Sequence, residues 1–184
     1  MKTGGLDIYY EAQKFTNPLI NAIVIASAAL PSILFGYAAF GQIVSGVPMG
    51  NKPISNGALI ISFGASILFG VAIIYLYSAC KLEIRLTNEA IFVRLYPFMI
   101  KYRTIPFNTI SHYEIRTYKP ISEYGGWGIR HTFGKKGMAY NIAGKIGLQL
   151  ELTNGKKVLI GTSDPDRLLL TLTSLYNPNN IKSE

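Results

Sequence analysis

Charge is missing from two long stretches of this chain. No Lys, Arg, Asp, Glu or His occurs from Phe15 to Asn51, and none from Pro53 to Cys80. A soluble domain within 184 residues has no use for two apolar runs of that length. A bilayer core about 30 Å thick, by contrast, calls for roughly 20 apolar residues per helix. Cysteine is nearly absent too. Cys80 stands alone, which excludes an internal disulfide. It closes the second apolar run beside Lys81, where lipidation is an option and a buried or interfacial thiol the plainer reading. The two histidines, His112 and His131, lack metal-ligand spacing and Cys partners. The lack of any ionisable side chain inside either run argues against a proton relay or ion pathway as well.

Acidic residues are scarce, 10 against 18 basic ones, for a formal net charge of +8. The excess is uneven. Residues 81–184 carry 15 Lys/Arg and 8 Asp/Glu, while the first 80 carry only Lys2, Lys14 and Lys52 against Asp7 and Glu11. A pI near 9.5 raises the question of nucleic acid, but no nucleic-acid motif is present. Excess Lys/Arg is what cytoplasmic flanks of membrane segments carry, and anionic lipid attracts it. The expected partners are membrane lipids and protein, with no nucleic acid.

The two runs read as an antiparallel transmembrane hairpin, with spans over about 19–44 and 57–80. Pro18 suits a helix start, and Gly46, Pro48, Gly50 and Pro53 supply turn chemistry between the spans. Ala26-Ser27-Ala28 looks like a signal cleavage site. However, Asp7 and Glu11 are wrong for the segment before it, and the apolar run continues past it. The hairpin loop holds only Lys52, whereas Lys2, Lys14, Lys81, Arg85 and Arg94 flank the spans. Both termini are therefore expected on the cytoplasmic side of a multi-pass inner-membrane protein. Residues 1–18 read as an interfacial tail, with Tyr9, Tyr10 and Phe15 as anchors on the same side as Tyr75 and Tyr77, and Ile8–Phe15 as a short amphipathic turn on the surface. Small residues recur every four positions, Ala28, Ser32 and Gly36 in one span and Ser62, Ser66 and Gly70 in the other, which suits close helix packing or pairing with a second copy.

From Lys81 the pattern changes to a period of two. Leu82, Ile84 and Leu86 alternate with Glu83, Arg85 and Thr87, and Ile91, Val93 and Leu95 continue the alternation. This predicts half-buried antiparallel strands. Further strands are predicted at Ile100–Ile105, Ile110–Tyr118, Met138–Ile142, Gly147–Leu152 and Lys156–Ile160, with a hairpin turn at Asn154-Gly155. Asp164-Pro165-Asp166 then starts a helix that Asn177-Pro178 stops, with Leu168, Leu169, Leu172 and Leu175 on one face. About seven strands and a closing helix, over residues 81–176, form a bent sandwich or partly open barrel capped by that helix; 177–184 is a tail.

Residues 81–176 resemble a bacterial pleckstrin-homology-like (PH-like) domain. The resemblance rests on the strand run Leu82–Tyr96, on Ile105-Pro106-Phe107-Asn108-Thr109-Ile110 and on the closing amphipathic helix. It also rests on Glu123-Tyr124-Gly125-Gly126-Trp127-Gly128-Ile129-Arg130, and on Ala139-Tyr140-Asn141 followed by Gly144, Gly147 and Gly161. Together with the hairpin, the whole is similar to small uncharacterised bacterial membrane proteins. The resemblance implies a fold and a location and leaves the activity open. Eukaryotic relatives hold phosphoinositide with basic residues around the loop joining the first two strands. Here that loop is Thr87-Asn88-Glu89-Ala90, short and acidic.

The run Gly125–Arg130 is the most suggestive for a site. Its glycines free the backbone, Trp127 is the only tryptophan, and Arg130, Lys135, Lys136 and Lys145 follow. This fits a lipid- or partner-binding loop; it equally fits a glycine-bent strand whose Trp fills the core. Gly144-Lys145 is followed by Ile146, and Ala139 stands where a phosphate loop needs its first glycine. Asp164 and Asp166 are explained by helix capping. No serine sits in a recognisable nucleophile elbow. No catalytic constellation and no cofactor are expected. The expected function is non-enzymatic: a membrane-anchored scaffold presenting a basic β domain for protein interaction or self-assembly. The alternatives are sensing of anionic lipid head groups through Trp127 and Arg130, or service as an accessory subunit of a membrane enzyme or transporter.

Overall fold

A computed structural model describes residues 6–48, 50–132 and 137–176. The chain divides into two compact units. One is Thr16–Ala79; the other joins the residues up to Phe15 with those from Cys80 onward.

The first unit is a helical hairpin. Asn17 caps the first helix, α1 (Pro18–Ala39), its side-chain oxygen accepting from the Leu19 N–H at 2.9 Å, with Pro18 at the first helical position. A π-helical turn, Phe40–Val44, ends it. The return helix, α2, is Asn56–Ala79. Gln42 ties the ends of the connection together, its Nε2 donating to the Ile54 carbonyl at 2.8 Å and to Asn56 Oδ1 at 2.7 Å. Both helices are long and apolar enough to cross a membrane, and only 6% and 17% of their most apolar windows are buried. A core helix of a soluble protein would bury most of such a window.

Small residues sit where the helices meet. A Cβ built on Gly70 would lie 2.6 Å from the Ala28 carbonyl oxygen, and one on Gly36 would lie 2.9 Å from the Phe63 ring. Ser66 Oγ is 3.3 Å from Ser32 Oγ. Ser62 is half-buried on α2.

The second unit is two sheets and a closing helix. The first sheet is β1 (Tyr9–Gln13), β2 (Lys81–Leu86), β3 (Ala90–Tyr96) and β4 (Arg103–Pro106), all antiparallel and in that order. The second contains β5 (Ile110–Thr117), β6 (Gly128–His131), β7 (Met138–Asn141), β8 (Ile146–Leu152) and β9 (Lys157–Gly161), ordered β5-β8-β9-β7-β6. A short helix, α3 (Pro120–Tyr124), leads into β6, and α4 (Pro165–Leu175) ends the unit. The core lies between the sheets: Leu82, Ile84, Ile91 and Val93 from one, Leu148, Leu150, Val158 and Ile160 from the other, and Leu168 and Leu172 from α4. The two sheets are not bonded edge to edge, so the unit is not a closed barrel.

Several expectations need correction. The described residues from Lys81 onward form eight strands rather than about seven, a ninth lies before the helices, and β7 and β9 run parallel. The strand placed at Ile100–Ile105 begins only at Arg103, because residues 97–102 form the turn after β3. The stretch Ile8–Phe15 is not a surface turn. Its Tyr9–Gln13 pairs antiparallel with β2, from Tyr9 opposite Leu86 to Gln13 opposite Leu82. Its inward residues are Tyr9, Glu11 and Gln13, and two polar side chains out of three erase the apolar alternation that marks a half-buried strand. The β unit therefore begins before the helices, which are inserted between two adjacent strands.

Candidate functional site

The alternation that buries Leu82, Ile84 and Leu86 turns Lys81, Glu83 and Arg85 to the opposite face of β2. On β3 it does the same for Phe92, Arg94 and Tyr96. Tyr10 from β1 and Tyr102 just before β4 join this face. Two guanidinium groups stack among the three tyrosines. Arg85 lies 5.3 Å from the Tyr10 ring centre and 4.6 Å from that of Tyr102, and Arg94 lies 4.4 Å from Tyr102 and 5.7 Å from Tyr96. Each contact is a cation–π attraction.

Beneath this layer lies Glu83, its side chain only 2% exposed. Lys81 Nζ is 2.8 Å away, Tyr102 donates at 2.8 Å, Tyr10 donates at 3.0 Å, and Arg94 Nε also donates to it. Burial pushes the Glu83 carboxyl up, but these four partners, led by Arg94, more than offset that and hold it at about 2. Burial and the Glu83 charge together push the Tyr102 hydroxyl up to about 12. Arg85 reaches Asp7 at 3.3 Å, and its Nε is buried with no hydrogen-bond partner among the described residues. The face is a basic and aromatic platform whose one buried carboxylate is saturated.

A second carboxylate joins the start of the chain to its end. Glu11 is 9% exposed. It accepts from the Tyr9 hydroxyl at 2.7 Å, the Thr162 hydroxyl at 2.7 Å, and the Ser163 N–H and hydroxyl at 2.7 and 2.6 Å. Gln13 Nε2 donates to the Gly161 carbonyl at 2.8 Å. These bonds seat β1 against the segment leading into α4.

The Trp127 region is arranged differently. Trp127 is half-buried and its indole N–H has no partner among the described residues. Gly125, Gly126 and Gly128 take positive φ values of 72°, 119° and 112°, which the bend into β6 requires. Arg130 is exposed, and its Nε donates at 2.9 Å to the carbonyl of Trp127 itself. Lys145 is exposed in the turn before β8, where its carbonyl accepts from the Tyr118 N–H. Lys135 and Lys136 lie outside the described residues. His112 and His131 stand on β5 and β6, at opposite edges of their sheet. Asp164 caps α4, accepting from the Arg167 N–H. Cys80 is buried in the core of the β unit. Among the described residues no cluster of three or more His, Cys, Asp and Glu could hold a metal ion.

The Trp127 run stands out in the sequence, whereas Tyr10, Glu83, Arg85, Arg94 and Tyr102 do not stand out as a site. The signal for the latter was available: alternation puts Lys81, Glu83 and Arg85 on one face of their strand and Phe92, Arg94 and Tyr96 on one face of theirs.

These features define a two-sheet β domain with an apolar helical hairpin inserted between its first two strands. The chain belongs to a family of unknown function, DUF6141, which it matches over residues 3–177, a range that takes in both units. No curated protein and no solved structure matches it.

Proposed function

We propose that this protein is a non-enzymatic membrane-anchored scaffold. Its helical hairpin spans the cytoplasmic membrane, and its PH-like β domain lies on the cytoplasmic side, where it binds a protein partner or further copies of itself. The observation that carries the reading is the insertion of two largely unburied apolar helices between β1 and β2. Both helices are joined through the chain to strands of one sheet, which suits an anchor. Tethering raises the local concentration of the β domain, so weak contacts become effective there. The stacked Arg85, Arg94, Tyr10 and Tyr102 give it a surface of the residue types that dominate protein interfaces.

Cross-linking of the full-length protein in native membranes, followed by mass spectrometry, tests this. Recurrent cross-links from this face to one protein, or to a second copy, are expected. A chain that an alkaline wash strips from membranes, or one that is strictly monomeric in mild detergent and cross-links to nothing, overturns it.

A further inference from the structure

We infer that the turn between β3 and β4, residues 97–101, inserts into the lipid head-group layer and docks the β domain onto the membrane; this rests on the anchoring proposed above. The turn displays two large apolar side chains to solvent, Phe98 at 71% and Ile100 at 80% exposure. Between them Met99 points inward and packs on the core. The display is built rather than loose. The Met99 N–H donates to the Leu95 carbonyl at 2.7 Å, and Arg94 Nη1 donates to the Ile100 carbonyl at 3.2 Å.

The position of the turn says what covers it. Tyr96 pairs with Lys81, which follows the last residue of α2 by two positions, and Leu95 pairs with Leu82, which in turn faces Gln13. The turn thus projects from the end of the first sheet at which the chain leaves for the helices and returns from them. Three lysines mark the same end: Lys14 just after β1, Lys81 at the start of β2, and Lys101 in the turn itself. Lys14 and Lys101 are exposed and meet no carboxylate among the described residues. The acid nearest to them on the sheet, Glu83, is saturated by Arg94, Lys81 and two tyrosines. An apolar tip flanked by Lys14 and Lys101, neither with a carboxylate partner among the described residues, is complementary to an anionic lipid surface, the tip entering the acyl boundary and the ammonium groups meeting phosphates.

The test uses full-length protein in nanodiscs of phosphatidylglycerol and phosphatidylcholine. Trp127→Phe removes the only tryptophan, and Phe98→Trp in that background places a reporter at the tip. A second variant, Phe69→Trp in the same background, reports on α2. Brominated phosphatidylcholine should remove at least half of the Phe98→Trp emission, and aqueous iodide should leave most of it. If lipid quenches Phe69→Trp while iodide alone quenches Phe98→Trp, the docking turn is wrong and the anchor stands. If lipid quenches neither, the anchor itself fails and the inference with it. Should Trp127→Phe not fold, a nitroxide on Phe98→Cys in a Cys80→Ser background gives the same answer from relaxation by oxygen against aqueous nickel.

Discussion

Gln13 faces Leu82 across β1 and β2, so the whole helical hairpin is inserted in the sequence between two neighbouring strands. The β domain accordingly needs residues from both sides of the helices. Without β1, the outer edge of β2 would present its unpaired N–H and C=O groups, an invitation to aggregation.

The first prediction follows from that pairing. A variant in which Thr16–Ala79 is replaced by a turn of roughly four residues closes β1 onto β2 as an ordinary hairpin. It should be soluble and monomeric by gel filtration and should unfold cooperatively. The segment that starts at Lys81 should aggregate or remain unfolded under the same conditions. If the two behave alike, β1 is not an integral strand.

Glu83 gives the second. Its carboxyl is held at about 2 when folded, against about 4.3 in an unfolded chain. A carboxyl depressed by folding contributes stability that is complete above the unfolded value and lost as pH falls toward the folded one. Denaturation midpoints should therefore change little on this account above pH 5 and should drop between about pH 4.5 and 2. Glu83→Gln should cost about 2–3 kcal/mol at neutral pH, because Arg94 and Lys81 lose their charged acceptor. It should also flatten the acid limb of the profile. An unchanged acid limb in Glu83→Gln would sink the assignment.

How far such features are legible in sequence depends on which side chains face the core. The helices are legible because they are long, free of charge and apolar on every side. Strand β2 is legible because Leu82 and Ile84 alternate with Glu83 and Arg85, and β3 because Ile91, Val93 and Leu95 keep the same period, with Arg94 between the last two. In β1 the same period is present, but Glu11 and Gln13 point inward and are satisfied by Ser163, Thr162 and Gly161 from the far end of the chain. No local pattern carries that information. β6 is hidden for another reason: three glycines precede or open it, and its remaining residues are exposed. The stacked platform is half legible, since alternation gives the face while the positions of Tyr10 and Tyr102 depend on tertiary pairing.

The third prediction concerns the seat of β1. Glu11→Gln keeps the size of the side chain but turns an acceptor oxygen into a donor among the Tyr9, Thr162 and Ser163 donors. The loss should be about 2–4 kcal/mol for this strand, since buried donors to a charged group are left unmet. Amide hydrogen exchange should speed up across Tyr9–Gln13 and around Ser163, with α1 and α2 unaffected. Uniform acceleration through both units would argue against a local role.

The fourth prediction separates two glycines in the helical hairpin. A Cβ on Gly70 meets the Ala28 carbonyl oxygen at 2.6 Å, and backbone on a helix cannot move aside without shifting the helix. A Cβ on Gly36 meets the edge of the Phe63 ring at 2.9 Å, and a ring can rotate away. Gly70→Val should therefore weaken the hairpin far more than Gly36→Ala, by about 1–3 kcal/mol for the overpacked contact against a smaller effect for the other. The readout is an oxidative cross-link between Ser32→Cys and Ser66→Cys in a Cys80→Ser background, where the hydroxyls of the natural residues lie 3.3 Å apart. Cross-linking in membranes should survive Gly36→Ala and fall sharply with Gly70→Val. Equal losses from both changes would mean that the helices do not meet along Ala28 and Gly70.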